Sequence, residues 1–429
     1  MRKTYQYKLL ISVSQRREID RWLDMLRAQY NYLLRERYNW WEYSRSYLVV
    51  PQGKYCLRWC ELGGELKDKP DWHSQSANLP QLKKDRPWYQ NIYSQVLQDC
   101  VKRVKKAFER FVGGDLKGRR SGRPRFKNRA RYRTLTYPSI PDKNLIGSSI
   151  KLPKLGILKF IKSREIAPGF KLKTASITRK ADGYYLGLSV EDKSVPEVEL
   201  DTVPTEFNTT GIDVGLEKLY VDSEGNQVLP QKHLRKSESK LVKLQRKLED
   251  NARSRKAKRL IRQAISRLHQ KIARQRKHWH YNKAHKLAGN CKVLAVENLS
   301  IANMKRRNKP KKVQRAGTHV GVFVENGQAA SSGLNKSWSD NGVGNFLEIL
   351  SQVAQKYGTR IVKVNPRGTS QHCSQCLNRV SKTLRDRWHD CDACNLSCDR
   401  DFNSAKLIKK LAVGSSQSKT LPSLKDLMG

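Results

Sequence analysis

Two Cys-x-x-Cys pairs near the carboxyl end most narrowly limit how this chain can fold. Cys373 and Cys376 form the first pair, Cys391 and Cys394 form the second, and residues 377–390 separate them. Two such pairs can close as knuckles on one tetrahedral ion, and four thiolates leave no coordination position open for chemistry. We therefore predict a structural zinc ribbon. Two separate reactive thiol pairs are the alternative.

The remaining cysteine pattern and the apolar runs bear on the compartment. Four of the nine cysteines fall in the tight pairs, which in a reducing compartment favours metal ligation over disulfides. Cys398, His372 and His389 lie nearby and compete as ligands. No apolar run approaches the ~20 residues that span a bilayer, and the amino terminus lacks the apolar core of a signal peptide. We expect a cytosolic or nuclear protein without a membrane partner.

The charge balance indicates a polyanionic partner. The chain has 86 lysines and arginines against 39 aspartates and glutamates, a formal net charge of +47. Nucleic acid is the partner that such an excess favours. A ribosome-associated or histone-like basic protein is the alternative, but 429 residues with nine tryptophans can build several packed cores. We predict a folded multi-domain protein that binds nucleic acid.

The first half of the chain combines helices with a series of short strands. A strand is predicted at Tyr5–Ser12, followed by helices at Gln15–Arg37 and Tyr93–Phe111, whereas residues 49–90 give no clear assignment. The Gly- and Arg-rich residues 113–133 fit either a phosphate-tracking loop or a solvated linker. Four further strands follow in series, which favours an all-β module of barrel type. These strands are Ser149–Leu152, Ile157–Phe160, Lys171–Ile177 and Tyr184–Glu191.

The second half reads as an α/β layer. A hairpin is predicted over Thr209–Val228, a buried strand over Lys292–Glu297, and a helix at Asn345–Tyr357 that leads into the strand Arg360–Val364.

Between the hairpin and the buried strand lies a predicted pair of basic helices. Two apolar stripes should pack these helices on the core, while lysines and arginines crowd the other faces. The stripes are Leu241, Leu244 and Leu248, then Ile261, Ile265, Leu268 and Ile272. Three histidines of the second helix lack metal-ligand spacing, so we interpret them as helix packing and phosphate contact: His278, His280 and His285. Residues 306–332 read as a mobile loop, and the tail from Gly414 as disordered.

Three acidic residues from separate segments indicate a metal centre. Asp213 lies on the first strand of the hairpin, Glu297 ends the buried strand, and Asp401 opens the amphipathic helix DFNSAKLIKKLA. Phosphodiester hydrolysis needs charge stabilisation on both the attacking and the leaving oxygen, and two Mg²⁺ ions held by carboxylates can supply it. Each acid alone is more often a surface carboxylate. For Asp401 the alternative role is N-cap of its helix, which Asp399 can fill equally well.

The motifs that carry these residues resemble those of a known family. GIDVGLEKLYVDSEGN, LAVENLS, and TSQHCSQC followed by DRWHDCDACNLSCDRDFNSAKLI are similar to the three RuvC segments and the zinc ribbon of TnpB, a transposon-encoded RNA-guided DNA nuclease. The resemblance implies that Asp213, Glu297 and Asp401 are catalytic Mg²⁺ ligands and that the four paired cysteines bind Zn²⁺. Leu377 and Asn395 stand where relatives usually carry glycine after a cysteine pair, which puts the knuckle turns in doubt.

The resemblance also implies a domain organisation. The fold class is α/β with β-barrel and helical lobes: an RNase H-like RuvC domain containing a zinc ribbon, and a wedge-type barrel containing a helical recognition domain. The expected boundaries are wedge barrel 1–13, helical recognition domain 14–115, wedge barrel 116–205, RuvC motifs I and II 206–365, zinc ribbon 366–398, RuvC motif III 399–413 and disordered tail 414–429. Readers of a short DNA motif are expected within residues 14–135, where Trp40, Trp41 and Tyr93 fit either core packing or base stacking.

The function implied is RNA-guided cutting of DNA. A guide RNA made from the transposon end would pair with target double-stranded DNA, while the protein reads heteroduplex shape and a short adjacent motif. We expect a monomer in the prokaryotic cytoplasm, associated with the nucleoid. The alternatives are a compact type V CRISPR effector, a conventional transposase, and a guide-dependent DNA-binding regulator without cleavage.

Overall fold

A computed structural model gives the fold of most of the chain. It describes residues 2–43, 47–49, 55–57, 69–115, 118–193, 202–314, 321–383 and 386–414, with Leu424 and Leu427. The chain divides into two compact units, 1–196 and 197–429. Among the helices described, none combines the length and the apolar character needed to cross a membrane.

The first unit combines strands with helices. Its strands are β1 (Arg2–Leu10), β2 (Tyr47–Val49), β3 (Tyr55–Leu57), β4 (Thr134–Tyr137), β5 (Leu145–Ile146), β6 (Ser149–Leu152), β7 (Gly156–Ile161), β8 (Lys171–Lys180) and β9 (Gly183–Glu191). Its α-helices are α1 (Val13–Tyr43), α2 (Trp72–Ala77), α3 (Leu79–Asp85) and α4 (Ser94–Val112), with short 3₁₀ turns at Pro87–Asn91 and Asp142–Asn144.

Seven of these strands form one antiparallel sheet in the order β4-β8-β9-β1-β7-β6-β5. β1 pairs with β9, Arg2 opposite Glu191, and with β7, Leu9 opposite Phe160, so the amino terminus completes a sheet made mostly of later residues. The five strands predicted for this unit are confirmed as β1, β6, β7, β8 and β9. β1 begins at Arg2, three residues before the predicted start at Tyr5. Strands β4 and β5 were missed because they are too short to show alternation. The wedge-type barrel remains a prediction.

The helices between β1 and β4 share one hydrophobic core with the sheet. The two predicted helices are confirmed as α1 and α4, which pack together through buried apolar faces, and α1 continues to Tyr43. The candidate DNA-reading aromatic residues belong to this packing. Trp40, Trp41 and Tyr93 pack against the core cluster, with the Trp41 ring centroid 5.3 Å from that of Phe111. Their contacts therefore favour the core interpretation over base stacking.

The second unit has the mixed α/β content that the sequence predicts. Its strands are β10 (Thr209–Asp213), β11 (Tyr220–Asp222), β12 (Gln227–Val228), β13 (Val293–Glu297), β14 (Lys311–Gln314), β15 (Gly321–Val324), β16 (Arg360–Val364), β17 (Trp388–Cys391) and β18 (Leu396–Asp399). Its helices are α5 (His233–Lys236), α6 (Glu238–Glu249), α7 (Arg255–Gly289), α8 (Ile301–Met304), α9 (Gln328–Asn341), α10 (Val343–Tyr357) and α11 (Arg400–Gly414).

The main sheet of this unit has five strands in the order β12-β11-β10-β13-β16. β10, β13 and β16 are parallel, and the hairpin strands β11 and β12 continue the sheet antiparallel. Ile212, Leu294 and Val296 pack with α7 and α10 on one face, whereas Ala295 and Val364 pack with α11 on the other. The predicted α/β layer is confirmed, with helices on both faces of the sheet.

The interpretation of residues 306–332 as a mobile loop was wrong for the residues described there. β14 and β15 pair antiparallel and α9 begins at Gln328; residues 315–320 lie outside the described ranges. Asn308 closes the base of the hairpin, since its Nδ2 donates to the Asn326 carbonyl at 2.8 Å and its backbone N–H donates to Gln328 Oε1 at 2.9 Å. Hydrophobic periodicity in the sequence does not indicate such side-chain hydrogen bonds, so they could not be predicted.

The predicted basic helical pair exists as α6 and α7, but its stripes do not lie in the core as predicted. The leucines of α6 are only half-buried, and in α7 the buried positions begin at Ile272. The two helices pack on each other, and only the carboxyl-terminal half of α7 packs into the core beside α10.

The tail predicted to be disordered lies outside the described residues apart from Gly414, Leu424 and Leu427. These two leucines pack against the cluster formed by α11.

Contact between α11 and β10 depends on a glycine. A Cβ atom on Gly211 would lie 2.2 Å from the Ala405 carbonyl oxygen and 2.6 Å from the Lys409 backbone nitrogen. No side chain fits at such a separation, so the absence of one at Gly211 allows the helix to lie directly on the central strand.

We predict that Gly211→Ala destabilises the second unit by roughly 3 kcal/mol or more, because backbone atoms on both sides must move apart. Urea unfolding followed by circular dichroism measures the change. Gly333→Ala in α9 is the matched control, since a Cβ atom added at Gly333 would meet no other atom within 4 Å. That control should be neutral or more stable by up to about 1 kcal/mol. Equal stability of the two variants would contradict this account of the α11 contact.

Candidate metal centres

Asp213 and Glu297 end neighbouring parallel strands at the same edge of the sheet. β10 and β13 pair with Ile212 opposite Val296, so the next residue of each strand is an acid. Side chains alternate along a strand, and Ile212 and Val296 pack towards α10. Both carboxylates therefore lie on the opposite face, which α11 covers.

Asp401 lies in the first turn of α11, on the face that holds the other two acids. The N-cap role belongs to Asp399, whose Oδ1 accepts the backbone N–H groups of Asp401 at 3.0 Å and Phe402 at 3.2 Å. Of the two alternatives for capping this helix, the structure selects Asp399. The Asp401 carboxylate is consequently free of the capping bonds and is 20% exposed.

Two cations bracket Asp401. The Arg400 Nη2 lies 3.4 Å from Asp401 Oδ1, and the Lys218 Nζ lies 4.0 Å from Asp401 Oδ2. Lys218 also contacts Asp399 Oδ2 at 2.7 Å, although it comes from the turn after β10, 181 residues away in the chain. No sequence pattern singled out Lys218, because its role depends on a contact between distant segments.

The three carboxylates repel one another in a poorly solvated place. Burial, followed by the negative charges of Glu297 and Asp401, raises the pKa of Asp213 well above its usual value, and Arg400 opposes the shift. Burial also raises the pKa of Glu297, against the hydroxyl of Thr369, which donates to Glu297 Oε1 at 2.5 Å. Carboxylates clustered in this way are unfavourable to ionise without a counter-ion. A hard divalent cation prefers oxygen ligands and would stabilise their ionised form.

The four paired cysteines converge. Their sulfur atoms all lie within 4.8 Å of one another, with Cys373 Sγ 3.5 Å from Cys394 Sγ and Cys376 Sγ 3.5 Å from Cys391 Sγ. Four thiolates at tetrahedral Zn–S distances of about 2.3 Å would be about 3.8 Å apart, so the group is the right size for one ion. The cluster can therefore hold a structural metal.

The other candidate metal ligands near the cysteines, His372, His389 and Cys398, do not belong to the four-sulfur group. His372 Nδ1 lies 3.0 Å from the Gly368 carbonyl, and His389 Nδ1 contacts Lys382. Among the histidines of α7, His280 is buried with Nε2 2.9 Å from the Asn341 carbonyl, and His285 contacts the Tyr357 hydroxyl. For these two, the helix-packing interpretation is confirmed.

Both knuckles keep a left-handed turn without glycine. Leu377 has φ 64° and Asn395 has φ 57°. The backbone N–H of Leu377 donates to the Cys373 carbonyl at 3.0 Å, and that of Asn395 donates to the Cys391 carbonyl at 2.8 Å. The doubt about the knuckle turns is resolved: the turns form, at the energetic cost of a left-handed backbone in a residue with a Cβ.

The cysteine cluster is connected to the acidic residues by hydrogen bonds. Asn403, fully buried on α11, accepts the Ser374 N–H at 2.9 Å and donates to the His372 carbonyl at 2.8 Å. Those two residues flank Cys373. Thr369, four residues before Cys373, donates to Glu297. The sequence placed Asn403 beside the third acid but did not indicate these bonds, nor the role of Thr369.

Comparison with known proteins identifies the family. Residues 188–308 match the OrfB family of IS605 elements, described as a probable transposase; residues 344–408 match a Cas12f1-like TNB domain. Residues 1–46 match a helix-turn-helix domain. In this structure residues 2–43 instead form β1 and the single long helix α1.

Two curated relatives extend over most of the chain. "Putative RNA-guided DNA endonuclease InsQ" of Escherichia coli (strain K12) is 27% identical over 331 residues, 76% of this chain and 76% of the relative. A "Putative RNA-guided DNA endonuclease" of Streptomyces pristinaespiralis is 22% identical over 422 residues, 96% of this chain and 90% of the relative. Among solved structures, the "Cryo-EM structure of the Cas12f1-sgRNA-target DNA complex" covers 95% of this chain and 99% of that chain, with 15% identity and a TM-score of 0.32.

A third relative carries the family name, "TnpB-like protein L79" of Acanthamoeba polyphaga mimivirus, 25% identical over 221 residues, 49% of this chain and 39% of the relative. The chain is a member of the TnpB family.

Asp213→Asn should stabilise the metal-free protein at neutral pH. Folding raises the pKa of Asp213. The folded protein therefore loses stability as pH rises from the pKa of this residue in the unfolded chain towards its pKa in the folded chain. Asparagine is neutral and removes this loss. We expect the variant to be more stable than wild type in EDTA at pH 7.5, by a margin that shrinks towards zero near pH 4. Urea unfolding of both proteins across this range tests the sign. A variant less stable than wild type in EDTA at pH 7.5 would contradict the pKa shift.

Cys376→Ser should lose the ribbon metal, because three thiolates hold such an ion far less tightly than four. Cys398→Ser is the matched control and should keep one metal per chain, since Cys398 lies outside the four-sulfur group. Elemental mass spectrometry of the purified proteins measures the content. Loss of metal from Cys398→Ser would show that the ligand set is different.

Proposed function

We propose that this chain is an RNA-guided DNA endonuclease of the TnpB type, cutting double-stranded DNA that its guide RNA matches. The observation that carries the proposal is the convergence of Asp213, Glu297 and Asp401 at one edge of a sheet, on a chain of net charge +47. The relatives InsQ and the Streptomyces protein, whose names describe RNA-guided DNA endonucleases, support it.

The sheet supports an RNase H-like RuvC assignment for the second unit. A central strand ending in the first acid, an antiparallel hairpin on one side and parallel strands on the other are the arrangement expected of that fold. The division into wedge barrel, helical recognition domain, RuvC segments and zinc ribbon, with the boundaries given above, belongs to the same proposal.

Within the acidic centre we assign ligand roles from the donor set. Asp213, Glu297 and Asp401 would hold two Mg²⁺ ions, which when bound stabilise charge on the attacking and leaving oxygens of a phosphodiester. Thr369 orients the Glu297 carboxylate through its hydroxyl. Lys218 and Arg400 hold Asp401 from either side and compensate part of the negative charge that a phosphate would meet on entering.

The ribbon would hold one Zn²⁺ as a structural ion. Four thiolates suit this metal, and with no open position the site serves folding and not chemistry. Through Asn403 it orients the start of α11, and hence Asp401.

The guide RNA and its DNA target would bind the basic surfaces. α7 carries twelve lysines and arginines in 35 residues and no acidic residue. Like charges three or four residues apart destabilise a helix by about 0.2–0.5 kcal/mol per pair. The lysines and arginines of α7 repel one another and so lower the stability of the helix. A bound polyanion would offset this effect, because its phosphates neutralise these side chains.

A compact type V CRISPR effector is a second candidate, favoured by the match of residues 344–408 to a Cas12f1-like domain. The source of the bound RNA separates the two: a transposon end or a repeat array.

Asp213→Ala or Asp401→Ala should abolish cutting, by at least about 100-fold, because each removes a metal ligand, while RNA and target binding persist on the basic surfaces. The protein is expressed with its native flanking DNA, and the RNA that copurifies is sequenced. The complex is then incubated with Mg²⁺ and a plasmid library that carries the guide's target beside randomised bases.

Asp250→Ala is the matched control. The Asp250 carboxylate is exposed and forms an ion pair with Arg253, away from the acidic centre, so its loss should leave cutting unchanged. Cleavage at guide matches beside one short motif supports the proposal. No bound RNA would favour a transposase, RNA with no cutting would favour a binding-only regulator, and equal loss of binding and cutting in Asp213→Ala would contradict the site assignment.

A further inference from the structure

An exposed tryptophan lies on the cysteine-bearing hairpin. Trp388, on β17, is 55% exposed. Single exposed apolar side chains are common, but this one is fixed in place. Its indole Nε1 donates to Ser397 Oγ at 2.7 Å, and Ser397 Oγ donates to Asp390 Oδ1 at 2.5 Å. The polar edge of the ring is held by the hairpin, so the aromatic surface that remains is presented to solvent in one orientation.

The hairpin register places Trp388 next to the start of α11, the helix that carries Asp401. Trp388 is directly opposite Asp399, which caps α11 and contacts Lys218. The ladder continues into the helix, because the Arg400 backbone N–H donates to the Arg387 carbonyl at 2.9 Å. Trp388 therefore lies on the last rung of the hairpin before the helix that carries Asp401.

The two faces of the hairpin differ in chemistry. His389 and Cys391 are buried on the face that holds the cysteine cluster. Because side chains alternate, Trp388, Asp390 and the directly opposed Asp399 share the other face. The tryptophan is thus not required to enclose a metal, and its face continues towards the acids.

Two guanidinium groups lie at this end of the hairpin, each close to an acid. Arg387, half-exposed beside it in sequence, reaches Glu217 in the turn after β10 at 2.5 Å, and Arg400 Nη1 donates to the Asp386 carbonyl at 3.0 Å. An exposed aromatic ring on a segment that also carries guanidinium groups is a combination that binds single-stranded nucleic acid: the base stacks and the phosphates meet the cations.

We propose that Trp388 is a stacking platform for one nucleobase of the single DNA strand that enters the acidic centre. The assignment rests on the proposed nuclease function and adds a residue that binds substrate beside the carboxylates. DNA is the occupant because the strand delivered to Asp213, Glu297 and Asp401 is the one to be cut.

The test pairs protein variants with abasic substrates. The RNA-loaded complex cuts a guide-matched DNA in which single abasic nucleotides are scanned along the cut strand around the scissile position. With the wild-type complex, an abasic nucleotide at one position should raise KM by about 5- to 150-fold, which is the loss of affinity expected when one stacked base is removed. Trp388→Ala should raise KM for the intact substrate by a similar factor, and should no longer distinguish the abasic substrate from the intact one.

Two controls separate stacking from a general defect. Trp388→Phe should retain most of the discrimination, because it keeps an aromatic face. Trp88→Ala removes a tryptophan of similar exposure, 54%, from the first unit and should leave the abasic profile of wild type. The metal content of Trp388→Ala should stay at one ion in the ribbon.

Several results would overturn the assignment. If Trp388→Ala cuts like wild type and keeps the abasic profile, or if Trp88→Ala shows the same losses, Trp388 is not the platform. Sensitivity that follows abasic positions in the guide RNA would assign the ring to RNA and reject the DNA assignment. Absence of cutting by the wild-type complex would overturn the proposed function and this inference with it, whereas an unaffected Trp388→Ala overturns the inference alone.

Discussion

The close packing of α11 on β10 is the contact on which the acidic centre depends. Gly211 lets the helix backbone approach to a distance that no other residue permits. The first turn of α11 then lies over the edge where β10 and β13 end, and Asp401 joins two acids that come from segments 84 residues apart. Hydrophobic packing of α11 on the sheet, through Leu407, Ile408 and Leu411, supplies the attraction that opposes carboxylate repulsion.

The cysteine ribbon and the acids form one connected structure. Asn403 holds the backbone on both sides of Cys373, and Thr369 connects the segment before the ribbon to Glu297. A metal in the ribbon is therefore connected by short hydrogen bonds to the positions of two acids. We infer that the ribbon sets the geometry of the acidic centre as well as contributing a surface.

Charge is distributed unevenly over the second unit. Asp213, Glu297 and Asp401 are grouped at one edge of the sheet, where burial and the charges of the other two acids raise the pKa of Asp213. Twelve lysines and arginines occupy α7, and Lys218 and Arg400 flank Asp401. In the proposed nuclease, this arrangement would attract a polyanion and leave oxygen ligands for divalent cations.

The paired cysteines, the main helices and nearly every strand with clear alternation could be predicted from the sequence, as could the three candidate acids, because spacing and periodicity are local properties of the chain. It could not decide whether Asp399 or Asp401 caps α11, that Asn308 closes a hairpin within residues 306–332, that the stripes of α6 lie outside the core, or that Lys218 reaches Asp399. Only the tertiary structure decided these, because each depends on which distant side chains and backbone groups meet, and a pattern along one segment carries no record of the partner it will contact.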